Sequence, residues 1–178
     1  MRSTQIQADG RDSILIGTSL SHSPVSRHHA ALARELVDRG YGVSLLVHGP
    51  LEDASFVDSR VAILNWPSKR PTQMADFFFL DRLVRRLRPV CLISNFGSRN
   101  VMTLTGALWR VPVRIHWHHT LASQVQLDWP YSKIRLRFLM FRARLVLRLT
   151  AHAVANSCAA REDLVRAFGY APSRCQVW

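Results

Sequence analysis

The stretch Val111-Pro-Val-Arg-Ile-His-Trp-His-His-Thr120 decides how the rest of the chain is read. Apolar residues alternate at Val111, Val113, Ile115 and Trp117, the period-two signature of a strand with a buried face. The alternation then runs out onto imidazoles at His116, His118 and His119. In an open α/β sheet, binding groups collect at the carboxyl ends of the strands, where loops gather over a crevice. A strand that ends in three histidines is therefore the expected floor of a site. The competing reading makes any one of them a half-buried structural histidine.

Outward from this strand the same alternation of elements repeats. Ser13-Ile-Leu-Ile-Gly17 reads as a buried strand entering a turn, and Thr18–Ser26 is small and polar. A helix is expected from Arg27, with Ala30, Ala33, Leu36 and Val37 on one face, Ser26 as its cap and Gly40 at its end. Val43–Val47 follows as a second strand, which completes a βαβ unit with parallel strands. Further strands are expected at Val61–Leu64, Val90–Ser94, Ala153–Ala155 and Cys175–Trp178. Helices are expected at Gln73–Leu87, Arg99–Trp109, Tyr131–Leu149 and Ser157–Phe168. The fold class is α/β: a Rossmann-like, doubly wound, mostly parallel sheet with helices on both faces. Residues 1–12 are expected to be a flexible N-terminus, and 13–178 one domain.

The chain has 178 residues, 48% apolar and 20% charged, the balance of an ordinary globular protein. Its three cysteines, Cys91, Cys158 and Cys175, form no metal-ligand or redox motif, which fits a reducing compartment. Met1–Ser13 is polar, without the apolar core of a secretion signal, and no stretch of 18 uncharged apolar residues occurs. The expected location is cytoplasmic, peripheral at the inner face of the membrane. The net charge of +12 is unevenly placed. Residues 1–81 carry 8 Lys and Arg against 9 acids, whereas residues 82–178 carry 16 against 3 (Asp128, Glu162, Asp163). So lopsided a field favours an anionic partner for the second half.

Much of that charge lies on one helix: Lys133, Arg135, Arg137, Arg142, Arg144 and Arg148, with no acid among them. At about 100° per residue, Lys133, Arg137, Arg144 and Arg148 form one stripe and Arg135 and Arg142 lie nearly opposite. Two apolar faces separate them: Ile134, Phe138, Phe141, Leu145, Leu149, and Leu136, Leu139, Ala143, Val146, Leu147. A helix that only covers a sheet needs one such face. The second is expected to meet a neighbouring helix, a partner chain or an anionic bilayer, where Lys133, Arg137, Arg144 and Arg148 are the contact residues. Each basic residue near an anionic surface contributes on the order of 1 kcal/mol.

Near the first strand, Gly17 and the hydroxyls from Thr18 to Ser26 resemble an anion-binding turn, but GxGxxG and GK[ST] are both absent. His116 and His118 point the same way along a strand, which raises a His-ligated metal-dependent hydrolase as an alternative. Two histidines do not complete a site, so no metal is expected. A basic nucleic-acid- or anion-binding α/β module is the other alternative. It has the charge but no recognition motif or stacking platform, so no nucleic-acid partner is expected.

Three segments carry a family resemblance. Arg27-His-His-Ala-Ala-Leu-Ala-Arg-Glu-Leu-Val-Asp-Arg-Gly-Tyr-Gly-Val43 resembles the first helix and turn of family 4 glycosyltransferases with the two-domain GT-B fold. His29 stands for their leading histidine, and Tyr41 where histidine is frequent. Ile115-His-Trp-His-His119 resembles their strand ending in histidine, with His118 as the matching position. Ala153-Val-Ala-Asn-Ser157, followed by Arg161, Leu164 and Phe168-Gly169, resembles their later strand, helix and turn.

The resemblance implies an N-terminal, acceptor-side domain of a retaining, metal-independent enzyme that needs no cofactor. It would move a sugar from a nucleotide-sugar donor, its co-substrate, to a glycan or lipid-linked acceptor hydroxyl. His118 would be catalytic, orienting the transferred sugar or stabilising its oxocarbenium-like charge. His22, Ser23 and Arg27 would line the acceptor or phosphate side, with Asn95, Arg99, His116 and His119 completing the crevice. The family's nucleotide-sugar site lies mostly in a C-terminal domain, expected to be supplied in cis or in trans, so this chain is expected to be incomplete alone.

Overall fold

The computed structural model describes residues 11–49, 52–119, 121 and 132–178. Among these residues seven strands are present: β1 (Ser13–Thr18), β2 (Gly42–Val47), β3 (Ala62–Asn65), β4 (Cys91–Asn95), β5 (Val113–His118), β6 (His152–Ala155) and β7 (Cys175–Val177). Five α-helices join them: α1 (Pro24–Asp38), α2 (Met74–Leu87), α3 (Arg99–Leu108), α4 (Lys133–Arg148) and α5 (Cys158–Phe168). All strand pairs are parallel, in the order β3-β2-β1-β4-β5-β6-β7. The Rossmann-like α/β architecture expected from the repeated βα pattern is thus the one observed.

The helices start where local chemistry favours them. Ser23, not Ser26, caps α1: its side chain accepts from the Ser26 N–H, and Pro24 follows at the first helical position. A Ser-Pro pair suits this job because proline lacks the N–H that a first-turn position would leave unpaired. Asp76 in the first turn of α2 accepts from the backbone N–H groups of Gln73 and Ser68 and from the Ser68 hydroxyl. Ser157 caps α5 through the Ala160 N–H, and Gly169 ends it with φ +66°. α2 and α3 end differently. Arg88 (φ 45°) and Arg110 (φ 51°) take the left-handed conformation there, which costs a side-chain-bearing residue roughly 1–2 kcal/mol.

The strand alternation sorts side chains onto two faces. Ile14, Ile16, Leu45, Ile93 and Trp117 pack with Ala33 and Val37 of α1. On the other face Leu15, Leu46 and Leu92 meet Leu80, Leu83 and Val84 of α2 and Val101 and Met102 of α3. Further along that face Ala153 and Ala155 pack under Ala143 and Leu147 of α4 and Ala160, Leu164 and Phe168 of α5. Among the described residues the covering is therefore uneven, with one helix on one side and four on the other. The consequence is visible on the α1 side beyond β4, where Ile115 and Val154 are only half-buried and Val113 is exposed. Gly17 answers a packing need: a Cβ there would sit 2.4 Å from Ser98 Oγ and 2.5 Å from Met102 Sδ, where α3 begins.

Candidate active site

The order of the strands reverses between β1 and β4, so their carboxyl ends open a crevice, the usual ligand position in such sheets. Thr18 ends β1 and Asn95 ends β4; alternation puts both on the α1 face, with Trp117, the register partner of Asn95. Thr18, Asn95 and His29 of α1 are fully buried. His29 arrives there because Ser26, His29, Ala30, Ala33 and Val37 form the inward stripe of α1. Its Nδ1 lies 3.2 Å from Thr18 Oγ1. The Thr18 hydroxyl donates to the Ser19 carbonyl, so it receives the His29 Nδ1–H, a tautomer that leaves the Nε2 lone pair available. His29 Nε2 and both polar atoms of the Asn95 amide have no hydrogen-bond partner among the described residues. Buried polar atoms in that condition call for a partner, which water or a ligand can supply.

Rings close the site. His28 lies 4.8 Å from Trp117 and 5.4 Å from Trp178, centroid to centroid. His119 stacks on Trp117 at 6.1 Å and 18°, and lies 6.5 Å from His29. Burial pushes His29 down to about 4, helped by His28 and His119; burial, then His118 and His28, push His119 to about 4 as well. Both imidazoles are therefore neutral at pH 7. Each ring then carries one N–H and one lone pair, suited to neutral hydroxyl-rich ligands, beside apolar indole surfaces.

His116 and His118 take the opposite face. His118 Nε2 stands 3.5 Å from Asp163 Oδ2 of α5, and its ring is 5.9 Å from Phe168. Burial lowers the His118 pKa while Asp163 raises it, with a net lowering. Burial first, then Arg99, hold His116 well below the ordinary imidazole range. Arg99, half-buried at the start of α3, is itself pushed down to about 10 by burial and by Arg142. The strand spacing does put His116 and His118 side by side, 5.6 Å apart. No group of three His, Cys, Asp or Glu side chains able to hold a metal occurs among the described residues.

The first loop forms a third group. Ser26 Oγ lies within 3.0–3.4 Å of the hydroxyls of Ser19, Ser21 and Ser23, so these groups bond one another rather than facing an anion. His22 and Arg27 are exposed, and both lower the pKa of Asp53 after its main partner Ser55. Arg27 also lies 5.6 Å over the Phe56 ring. They therefore sit toward the segment after β2. The residues expected to form one wall thus lie in separate groups: His22 and Arg27 toward Asp53, Ser23 among the serines of the first loop, Asn95 and His119 at the crevice, and Arg99, His116 and His118 under α4 and α5.

On α4, Ala143, Val146 and Leu147 are buried, whereas Ile134, Phe138, Phe141, Leu145 and Leu149 are exposed, from 39% for Leu149 to 82% for Ile134. One of the two apolar faces covers the sheet, and the other has no cover among the described residues. Lys133, Arg137 and Arg148 flank it, exposed. Arg144 is also committed to the fold, donating from Nε and Nη2 to the Ala167 carbonyl at the end of α5. No helix among the described residues is long and apolar enough to cross a membrane.

The family model for Glycosyltransferase Family 4 matches residues 25–178. The chain belongs to glycosyltransferase family 4. Among solved structures, sucrose-phosphate synthase from Thermosynechococcus elongatus is similar with a TM-score of 0.63 at 10% identity, covering 94% of this chain and 47% of that one. HepE of Anabaena, solved with UDP and glucose, gives 0.57 at 16%, covering 93% and 43%. UGT2 of Phytolacca americana, solved with UDP-2-fluoro-glucose and pterostilbene, gives 0.57 at 13%, covering 94% and 53%. At these identities the likeness is one of fold, the Rossmann-like half of the GT-B architecture. The family 4 chain spans about half the length of these solved relatives. No curated protein matches it.

Six residues at or beside the site were not among those expected from the sequence: Thr18, His28, His29, Trp117, Asp163 and Trp178. His29 was detectable from helix phase, since it falls on the apolar stripe of α1. Asp163 was detectable as one of only three acids in the basic half. Trp117 carries the strand's apolar pattern and gives no separate signal, and the approach of Trp178 to it depends on the β6–β7 register.

Proposed function

We propose that this family 4 chain is the acceptor-side domain of a retaining glycosyltransferase. It would move a sugar from a nucleotide-sugar donor to an acceptor hydroxyl. In that reaction the anomeric carbon leaves the diphosphate oxygen and bonds the acceptor oxygen on the same face, and the hydroxyl proton passes to the departing diphosphate. The observation that carries the reading is the buried Thr18–His29–Asn95 group beside His119, at the crevice of a family 4 fold. A uridine diphosphate sugar as donor is supported by the ligands of HepE and UGT2. Metal independence and retention follow the family resemblance.

Within this reading His119 faces the sugar, and His118, enclosed with Asp163, is a positioning residue. Neutral His119 supplies a hydrogen bond to the transferred sugar as positive charge develops, and His29 Nε2 accepts from a substrate hydroxyl. A second domain, in cis or in trans, supplies most of the nucleotide site. The uncovered face of α4 holds the enzyme at an anionic membrane on its cytoplasmic side, where a lipid-linked acceptor would lie. The test is His119→Ala in the complete enzyme. Transfer should fall about 100-fold or more with the fold retained, on the scale of losing one preorganised donor. Turnover equal to wild type removes His119 from the site.

A further inference from the structure

A second site lies at the opposite end of the sheet from the crevice. The turns that lead from α2 into β4 and from α3 into β5 border an open cleft of about 550 Å³. Arg85, Arg88 and Arg110 line it, with Trp109 and the rigid Pro89 and Pro112 completing its walls. A cleft of this size suits a small molecule.

Of its three positive charges, one is anchored. Asp81 accepts from Trp109 Nε1 at 2.8 Å and lies 4.0 Å from Arg85 Nη1, whose guanidinium stands 5.4 Å over the Trp109 ring. The indole and Arg85 are thereby fixed. Arg88 and Arg110 are different: neither side chain has a hydrogen bond or ion pair among the described residues. Both residues also occupy left-handed positions at helix ends, where glycine is the ordinary choice. A guanidinium that merely satisfied the helix terminus would bond its last carbonyls; these two line the cleft instead. Guanidiniums that line one cleft are suited to phosphate oxygens, which each planar fork can bind two at a time.

We propose that this cleft binds a phosphate-bearing anion, a phosphomonoester or diphosphate group held between Arg88 and Arg110 against the Trp109 ring. The site is separate from the transferase crevice and stands whether or not that reading holds. The shared chemistry is phosphate, and its source is either a soluble ligand or a lipid headgroup.

The test compares the whole chain with an Arg88→Gly/Arg110→Gly variant. Glycine suits both backbone positions, so the variant should keep or raise its Tm. One probe is inorganic pyrophosphate, followed by calorimetry; the other is flotation with vesicles of phosphatidic acid in phosphatidylcholine, against phosphatidylcholine alone. Pyrophosphate affinity weakened at least tenfold in the variant supports a soluble phosphate ligand. Phosphatidic acid vesicle binding weakened at least tenfold, with no pyrophosphate binding by either protein, supports a lipid phosphate. Equal behaviour of wild type and variant toward both probes overturns the proposal. A Phe138→Ser/Phe141→Ser variant on α4 should leave pyrophosphate affinity unchanged, which separates this site from the α4 surface.

Discussion

His118 Nε2 and Asp163 Oδ2 stand 3.5 Å apart with side chains 5% and 16% exposed, tying the end of β5 to α5 on the face turned away from His29. The imidazole is buried, and the facing carboxylate favours its protonated form against that burial. Asp163→Ala should therefore lower unfolding stability by about 1 kcal/mol, the scale of one modest polar contact. Asp163→Asn keeps an acceptor oxygen and should recover much of the loss. Urea unfolding at pH 7 measures both; an alanine variant as stable as wild type would mean that the contact contributes nothing.

Burial of His29 makes stability fall in mild acid. Its folded pKa is about 4 and its ordinary value 6.5, so the unfolded chain takes up a proton first as pH drops. Stability is then fully present above about 6.5 and is lost progressively between 6.5 and 4. From pH 7 to pH 5 the loss attributable to His29 is about 2 kcal/mol. A His29→Gln variant, which has nothing to protonate, should show a correspondingly flatter dependence. Denaturant midpoints at the two pH values decide it, and parallel slopes for the two proteins would count against a buried neutral imidazole.

Strand and helix positions were readable because period-two and period-3.6 patterns survive in this chain with glycine, proline and serine at their ends. The start of α1 was misread by three residues, as Arg27 rather than Pro24, although Ser23-Pro24 is itself a start signal. Alternation also showed that His116 and His118 share a face. It did not show that α4 and α5 would cover that face while α1 covers Trp117, because helix placement follows from crossover geometry and not from any local pattern. That is why one histidine-rich stretch, expected to serve one site, has its imidazoles divided between the two faces of the sheet. Arg88 and Arg110 were invisible as turn residues, since arginine carries no signature of a left-handed backbone.

Gly17 separates β1 from the first turn of α3 by the width of a missing methyl group. An alanine Cβ would lie 2.4 Å from Ser98 Oγ and 2.5 Å from Met102 Sδ, both buried, so neither neighbour can step aside without moving α3. Ser98 is further bound by its bonds to the Asn95 backbone, its Oγ accepting from the N–H and donating to the carbonyl. Gly17→Ala should cost about 1–3 kcal/mol, the range for overpacking a core. Because Asn95 sits at the crevice, the same change should weaken transfer in the complete enzyme. Thermal unfolding with wild-type Tm would show that α3 accommodates the methyl group freely.

The exposed side of α4 sets an apolar ridge between two rails of positive charge. Ile134, Phe138, Phe141, Leu145 and Leu149 form the ridge; Lys133, Arg137 and Arg148 lie along one side, Arg135 and Arg142 along the other. On an anionic bilayer the ridge would enter the acyl boundary while the rails meet headgroups. Phe138→Ser/Phe141→Ser removes two rings that are 63% and 59% exposed, so the fold loses little. If each ring contributes about 1 kcal/mol or more of buried apolar area at the interface, vesicle affinity should fall about tenfold or more. The residual binding should be salt-sensitive, since it rests on the rails alone. Arg144→Ala offers the contrast: its guanidinium is bonded to the Ala167 carbonyl, so it should cost stability more than vesicle affinity. Vesicle flotation at two ionic strengths beside thermal melts reads all three. Undiminished flotation of the serine variant would remove α4 from the membrane contact.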